Sequence, residues 1–196
     1  METGKYINKY HFPTKYQKDT KMKKTTEILS EEHQNILKVI EGLEKECDAI
    51  EAGKKIDKEL FTKIIDFIRN YADRFHHAKE EDILFKELCR DEVDMHCNPT
   101  EQMLHEHDIG RNFVNEMERS INDDSKQELI GNARGYCDLL REHIFKEDNI
   151  LYPMADQVLD DKTQKSMLKA FKNAESRFKE GSKDKYISFV KDFKEG

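Results

Sequence analysis

Apolar residues recur every three to four positions along most of this chain, which is the period of amphipathic helices. The first stripe runs through Leu29, Ile36, Leu37, Ile40, Leu43 and Cys47. It predicts a helix from Thr26 or Ser30 to Ala52, ended by Gly53. A second stripe of Leu60, Phe61, Ile64, Ile65, Ile68, Ala72, Ile83 and Leu84 predicts one long helix from Asp57 to Cys89. Asn98-Pro99 then marks a turn and a helix entry. Met103, Leu104, Val114 and Met117 define a third helix from Pro99 to Ile121. After the turn Asn122–Ser125, a fourth runs from Lys126 to Pro153 or slightly beyond. Residues 162–194 read as one or two shorter helices broken at Gly181-Ser182. Residues 1–24 are polar, Lys- and Tyr-rich and without a period, so they are expected to form a poorly ordered extension. The chain thus divides into an extension (1–24), an all-α up-down four-helix bundle (25–160) and a helical tail packed on it (161–196).

Polar residues interrupt these stripes at specific places. His33 and His107 each stand alone among apolar neighbours. The fourth helix places His143 and Glu147 one turn apart on its apolar face. Residues 76–85 repeat the phrase of 143–152: His76 aligns with His143, Lys79 with Lys146, and Glu80 with Glu147. The first copy also offers His77 with Glu81, but the repeat selects His76 with Glu80. At the α-helical period His77 shares its side with Asn70, Asp73 and Arg74, so His77 and Glu81 are expected mostly in solvent. His105 points away from His107, two residues on; His105 or His77 could serve as outer partners or proton donors, whereas His11 and His96 read as surface residues. The duplication extends further. Helix one carries Glu32-His33 and helix three Glu106-His107, so each half reads Glu-His and then His-x-x-x-Glu, 43 or 36 residues apart. Two helical hairpins related by a pseudo-two-fold axis would bring four imidazoles and two carboxylates into one interior.

Buried polar groups must be satisfied, and a metal ion satisfies imidazole and carboxylate together. His33, His76, Glu80, His107, His143 and Glu147 exceed what one tetrahedral zinc needs. They suit two metals bridged by Glu80 and Glu147, with an oxide or hydroxide between them and a coordination position left open. Nitrogen and oxygen donors of this kind fit iron best, with manganese and zinc following. Gly110, one turn beyond His107, either leaves room beside such a centre or allows close helix packing. Tyr71, Tyr136 and Tyr152 are either core aromatics or proton and electron donors near the metals.

Composition narrows the function classes. Of 196 residues 38% are charged and 36% apolar, as expected of one domain of long helices with solvated outer faces. A net charge of −7 argues against nucleic acid as a partner. No apolar run reaches the ~20 residues of a membrane span, and no signal-peptide core opens the chain, so a cytoplasmic location is expected. Four cysteines without a Cys-x-x-Cys read as free, mostly buried thiols.

At these same phrases, 76–85, Glu106-His107-Asp108-Ile-Gly-Arg111 and 143–153, the chain resembles the hemerythrin-like, HHE cation-binding domains. The resemblance covers residues 26–160 and implies a four-helix bundle around a non-haem di-iron centre. It departs from the oxygen-carrying members: Met103 stands where they have a further histidine, and Glu147 follows His143 by four residues instead of an Asp by five. In these respects it is closer to the di-iron proteins implicated in iron–sulfur repair and nitrosative stress. Those often carry a Cys-containing N-terminal domain, and residues 1–24 contain no Cys. The resemblance implies a protein that binds or senses O2, NO or iron. The alternative is a di-iron redox enzyme acting on NO, O2 or peroxide, or in iron–sulfur repair, served by an electron-donor protein.

Overall fold

The computed structural model describes residues 23–95, 99–178 and 182–195. They form helices with no strand among the described residues. Helix α1 is Thr25–Glu51. Gly53 follows it at φ +105°, and Gly53 and Lys54 donate backbone N–H groups to Ile50 and Ala49. That left-handed position after a helix end suits glycine, which has no Cβ to clash. Helix α2 is one rod over 58–88, started by the Asp57 carboxylate accepting from Leu60 N at 3.0 Å. Helix α3 is Thr100–Asn122. Helix α4 is a second composite rod over 126–158. The tail is two helices, α5 at Asp161–Arg177 and α6 at Ser182–Glu195.

Helices α1 to α4 run up and down, and each packs on two neighbours in the order α1–α2–α3–α4–α1. This is the all-α bundle that the hydrophobic period predicts. The tail helices lie on α1 and α2, burying Phe171, Tyr186 and Val190. Residues 1–22, His96 and Cys97 lie outside the described residues, so the expectations for them are not addressed. Cys47 and Cys137 are buried free thiols, whereas Cys89 is exposed.

The rods are not uniformly α-helical. Ile68–His77, Glu80–Leu84 and Glu147–Leu151 wind as π-helix. Such i→i+5 turns widen a helix and recur at functional sites. The third lies directly before Pro153, whose missing N–H cannot continue an α-helical ladder. All three carry or border the duplicated His-x-x-x-Glu phrases.

Two apolar cores fill the bundle. One spans Ile36, Leu43, Phe61, Tyr71, Met117 and Cys137. The other spans Leu29, Leu84, Met103, Leu151, Tyr152 and Phe171. Most polar interruptions of the stripes lie between these cores in sequence: His33 between Leu29 and Ile36, His107 between Met103 and Val114, and Glu147 between Ile144 and Leu151. A polar layer therefore crosses the bundle, walled by hydrocarbon above and below.

Glycines on α4 separate two effects. A Cβ at Gly131 meets nothing within 4 Å, whereas one at Gly135 would sit 2.7 Å from the Phe113 ring of α3. Gly131→Ala should therefore gain helix propensity, up to ~1 kcal/mol, and raise the melting temperature. Gly135→Ala should forfeit that gain, since the ring must move. Equal shifts in thermal unfolding would contradict this helix packing.

A candidate metal centre

The polar layer brings together all six residues singled out from the sequence, and a seventh. Ligand atoms of His33, His76, Glu80 and Glu147 lie within 4.8 Å of one another, and so do those of His77, His107 and His143. Either group could hold a metal ion. The two carboxylates connect the groups. Glu80 Oε2 is 3.6 Å from Nε2 of both His76 and His107. Glu147 reaches His33 Nε2 at 3.2 Å with one oxygen and His143 Nε2 at 3.3 Å with the other.

His77 is the correction. The α-helical period puts it in solvent, but it is only 7% exposed and its ring stacks on His107 with centroids 3.7 Å apart. A π-turn has more residues per revolution, so neighbouring side chains subtend a smaller angle. His77 therefore swings inward beside His76 in a way the α-helical wheel does not anticipate. Glu81 is not simply solvated either: it is half-buried, accepting from His107 Nδ1 at 2.7 Å and from Arg111. His105 is exposed, as expected.

Each of the five imidazoles is oriented by a carboxylate on its Nδ1. His76 meets Glu32 at 3.0 Å and His143 meets Glu106 at 2.8 Å. His33 meets Asp148 at 2.9 Å, His107 meets Glu81, and His77 meets Asp73 at 3.3 Å. Ionised carboxylates only accept hydrogen bonds, so they place the imidazole proton on Nδ1 and leave a lone pair on Nε2. Lys79 and Lys146 hold Glu32 and Glu106 in turn. These partners obey the sequence repeat: Glu32 and Glu106 precede the lone histidines, and Glu81 and Asp148 follow Glu80 and Glu147. The duplication carried that signal, although the ligand pattern alone did not expose it.

The inward-facing atoms are therefore nearly all acceptors. His107 Nε2 and His143 Nε2 are 3.0 Å apart. Glu80 Oε2 and both oxygens of Glu147 are buried without a hydrogen-bond donor. Leaving a buried acceptor unpaired costs ~1–3 kcal/mol, and more when it is charged. A cation among them turns each of these lone pairs into a ligand, so the donor set fits a metal on physical grounds.

The protonation equilibria report the same crowding. Burial and the adjacent Glu147 carboxylate push Glu80 well above the usual range. Burial opposes the charge on Glu147, but the imidazoles of His143, His33 and His107 outweigh it and hold that carboxyl well down. Burial and the neighbouring His107 push His77 down to about 3. Burial also opposes protonation of His33, yet the carboxylates of Asp148 and Glu147 bring it up to about 9, so without a cation its Nε2 holds toward Glu147 a proton that a metal would displace.

Of the three tyrosines, Tyr152 adjoins the centre. Its ring lies parallel to His33 at 5.6 Å and its hydroxyl donates to Glu80. Tyr136 faces the site from α4 across a cavity of about 260 Å3 that reaches His77, His107 and His143. Tyr71 is bonded to Asn35 at 2.9 Å and packs among Phe67, Phe75 and Tyr186. Gly110 lines the same cavity, and a Cβ there would make ordinary contacts at 3.6–3.8 Å. Close helix packing therefore does not require a glycine at this position, which borders the cavity.

A family model described as the hemerythrin HHE cation binding domain matches residues 24–155. No curated protein and no solved structure matches the chain. Among the described residues no helix is long and apolar enough to cross a membrane.

These shifts set a pH profile for the metal-free protein. His77 ionises near 6.5 when unfolded but near 3 when folded. The unfolded chain therefore takes the proton first, and stability falls as pH drops from 6.5 to 3. Glu81 and Glu106 are each held down to about 2 against burial, Glu81 by His107 and Arg111, Glu106 by His143 and Lys146. Their contributions, complete above about 4.5, are lost as pH falls to about 2. His33 acts oppositely, losing its contribution as pH rises through about 9. Below about pH 4.5, where Glu80 is protonated folded and unfolded alike, urea midpoints of metal-free protein should fall as pH drops; a midpoint still rising toward pH 3 would contradict these assignments.

Proposed function

The chain belongs to the hemerythrin HHE cation-binding domain family, and on that premise we propose that it holds two iron ions and binds or senses a small ligand, O2 or NO. The observation that carries the reading is the pair of fully buried carboxylates, Glu80 and Glu147, each set between imidazoles of both ligand groups, with Glu80 Oε2 and both Glu147 oxygens turned toward imidazole nitrogens. One metal would take His33 and His76, the other His107 and His143 with His77 as a third nitrogen. Glu80 and Glu147 would span them. Bound iron would supply reversible redox change and an open coordination position for a diatomic ligand.

The protein's own contribution is to hold those donors in one protonation state. The outer carboxylates fix all five imidazoles in the tautomer that offers Nε2, and such outer bonds are commonly worth ten- to a hundredfold in metal affinity. The elevated Glu80 carboxyl means that a cation displaces a proton there. Two further expectations, a cytoplasmic location and an electron-donor partner for the redox alternative, remain part of this proposal.

The test is metal content per chain in protein purified without oxygen, with an absorption spectrum before and after air. About two irons and new charge-transfer bands in air support the reading, and one tightly held zinc would sink it. His143→Ala should reduce bound iron toward about one per chain. His77→Ala should weaken the same position roughly tenfold or more, whereas exposed His105→Ala should leave loading unchanged. Equal losses from His77→Ala and His105→Ala would remove His77 from the ligand set. Lowering the pH from 7 to about 5, through the ordinary imidazole range near ~6.5, should release the metal progressively; complete retention at pH 4 would argue against histidine ligation.

A further inference from the structure

Large apolar side chains are scarce on the outside of this bundle. Among the described residues three stand in solvent: Leu104 on α3, at 38%, and Phe145 and Ile150 on α4, at 63% and 49%. Single exposed apolar residues are ordinary, and Leu104 is one. Phe145 and Ile150 are a pair. They lie on the outward side of α4, and exposed Pro153 extends the strip toward the end of that helix. The π-turn at Glu147–Leu151 contributes to this, because i→i+5 winding carries Ile150 round toward the side of Phe145. The bundle's own core is served from the same stretch by Ile144 and Leu151, both buried, so the strip is surplus to it.

The place where the chain enters the bundle points to an occupant. Helix α1 begins against the end of α4: Lys24 Nζ is 3.1 Å from Asp156 Oδ2, and Thr26 Oγ1 donates to Asp156 Oδ1 at 2.8 Å. The chain that precedes Lys23 therefore starts beside the last turns of α4. From Asp156 back to Phe145 is ~17 Å at the helical rise, a distance that about six extended residues span. Tyr16, Phe12 and Tyr10 all lie farther than that from Lys24 along the chain, so each can reach the strip. Composition matches as well. These three rings supply apolar surface, and the five lysines among residues 1–22 stand against only Glu2 and Asp19, in a chain whose net charge is −7. Beside Phe145, exposed Glu142 has no ion-pair partner among the described residues, and Asp138 has only Arg141 at 3.8 Å. Size separates a tethered occupant from a free one. Separate chains bury ~1,200 Å2 or more in a stable contact, beyond what two side chains and a proline offer. A tethered segment needs far less, because its effective concentration is in the ~mM range.

We propose that the segment before α1 docks along α4 and lays Tyr10, Phe12 and Tyr16 over Phe145, Ile150 and Pro153, with its lysines toward Glu142 and Asp138. The partner of this apolar strip is thus the chain's own N-terminal segment, and neither a second copy nor a lipid surface. The contact needs no metal and stands apart from the metal-binding reading above.

The chain contains no tryptophan, so Phe145→Trp in the full-length protein places a single indole on the strip. Its emission should be blue-shifted and should resist quenching by acrylamide. Adding Tyr10→Ser, Phe12→Ser and Tyr16→Ser to that chain should shift the emission to the red and raise the quenching constant severalfold, at unchanged helix content by circular dichroism. Glu142→Lys should raise quenching part of the way, as should high salt. Leu104→Trp is the control: Leu104 shares its side of α3 with Arg111, which bonds α2, so an indole there should ignore the three serines. Ile150→Trp repeats the measurement should position 145 tolerate the larger ring poorly. Light scattering on every sample gives the oligomeric state. An indole at position 145 as quenchable as a free tryptophan derivative would overturn the docking. So would protection that grows with protein concentration and ignores the serines, which would give the strip to a second copy. Protection that arises only with added anionic lipid vesicles would overturn it in favour of a membrane surface.

Discussion

The structure depends on the mutual repulsion of lone pairs. Five imidazoles meet outer carboxylates through Nδ1 and turn Nε2 inward. Two glutamates meet those nitrogens with oxygens that lack donors. Such an arrangement is unfavourable in a dry interior unless positive charge sits within it. The apolar cores wall this layer on either side. The π-helical turns widen α2 and α4 where the ligand phrases fall. The long rods on either side anchor those wider turns, so local irregularity is confined between regular, well-packed segments.

Duplication accounts for much of the site and its departures for the rest. Glu32, Lys79 and His76 repeat as Glu106, Lys146 and His143. Glu81 and Asp148 play equivalent parts toward His107 and His33. Two replacements break the symmetry. His77 adds a nitrogen to one half, and Tyr152 adds a covering hydroxyl to the other. Equal halves would give equal groups of imidazoles; these two side chains leave one group bordering a cavity and the other covered.

Most of the fold was legible because the hydrophobic period is strong. The helix ends at Gly53, Asp57 and the turn before Lys126 carry local signals that need no tertiary context. The six candidate ligands were legible because lone polar residues on apolar stripes recur in a repeat. His77 was not, since its inward turn depends on π winding, and an α-helical wheel assigns it to the wrong face. The metal pairing was also hidden, because it depends on which helices sit side by side. The outer carboxylates were visible as repeated acids, but assigning Glu32 to His76 instead of its own neighbour His33 requires the packed bundle. Gly110 gave an ambiguous signal, and the packed helices show only that contact with α4 does not demand it.

The buried ammonium of Lys79 ties the tail into this arrangement. Lys79 is fully enclosed, lies 3.7 Å over the Phe75 ring, and holds Glu32 on one side while Glu175 of α5 stands 3.5 Å away on the other. Phe171 of the same tail helix closes over it at 5.6 Å. The family match ends at residue 155, but the chain of ion pairs that begins at His76 runs through Glu32, Lys79 and Glu175 to Lys183. A fragment trimmed to the matched segment would take Phe171 and Glu175 away and open the Lys79 ammonium, one residue from Glu80, to water. In this protein the boundary of homology and the end of the ion-pair chain are different places.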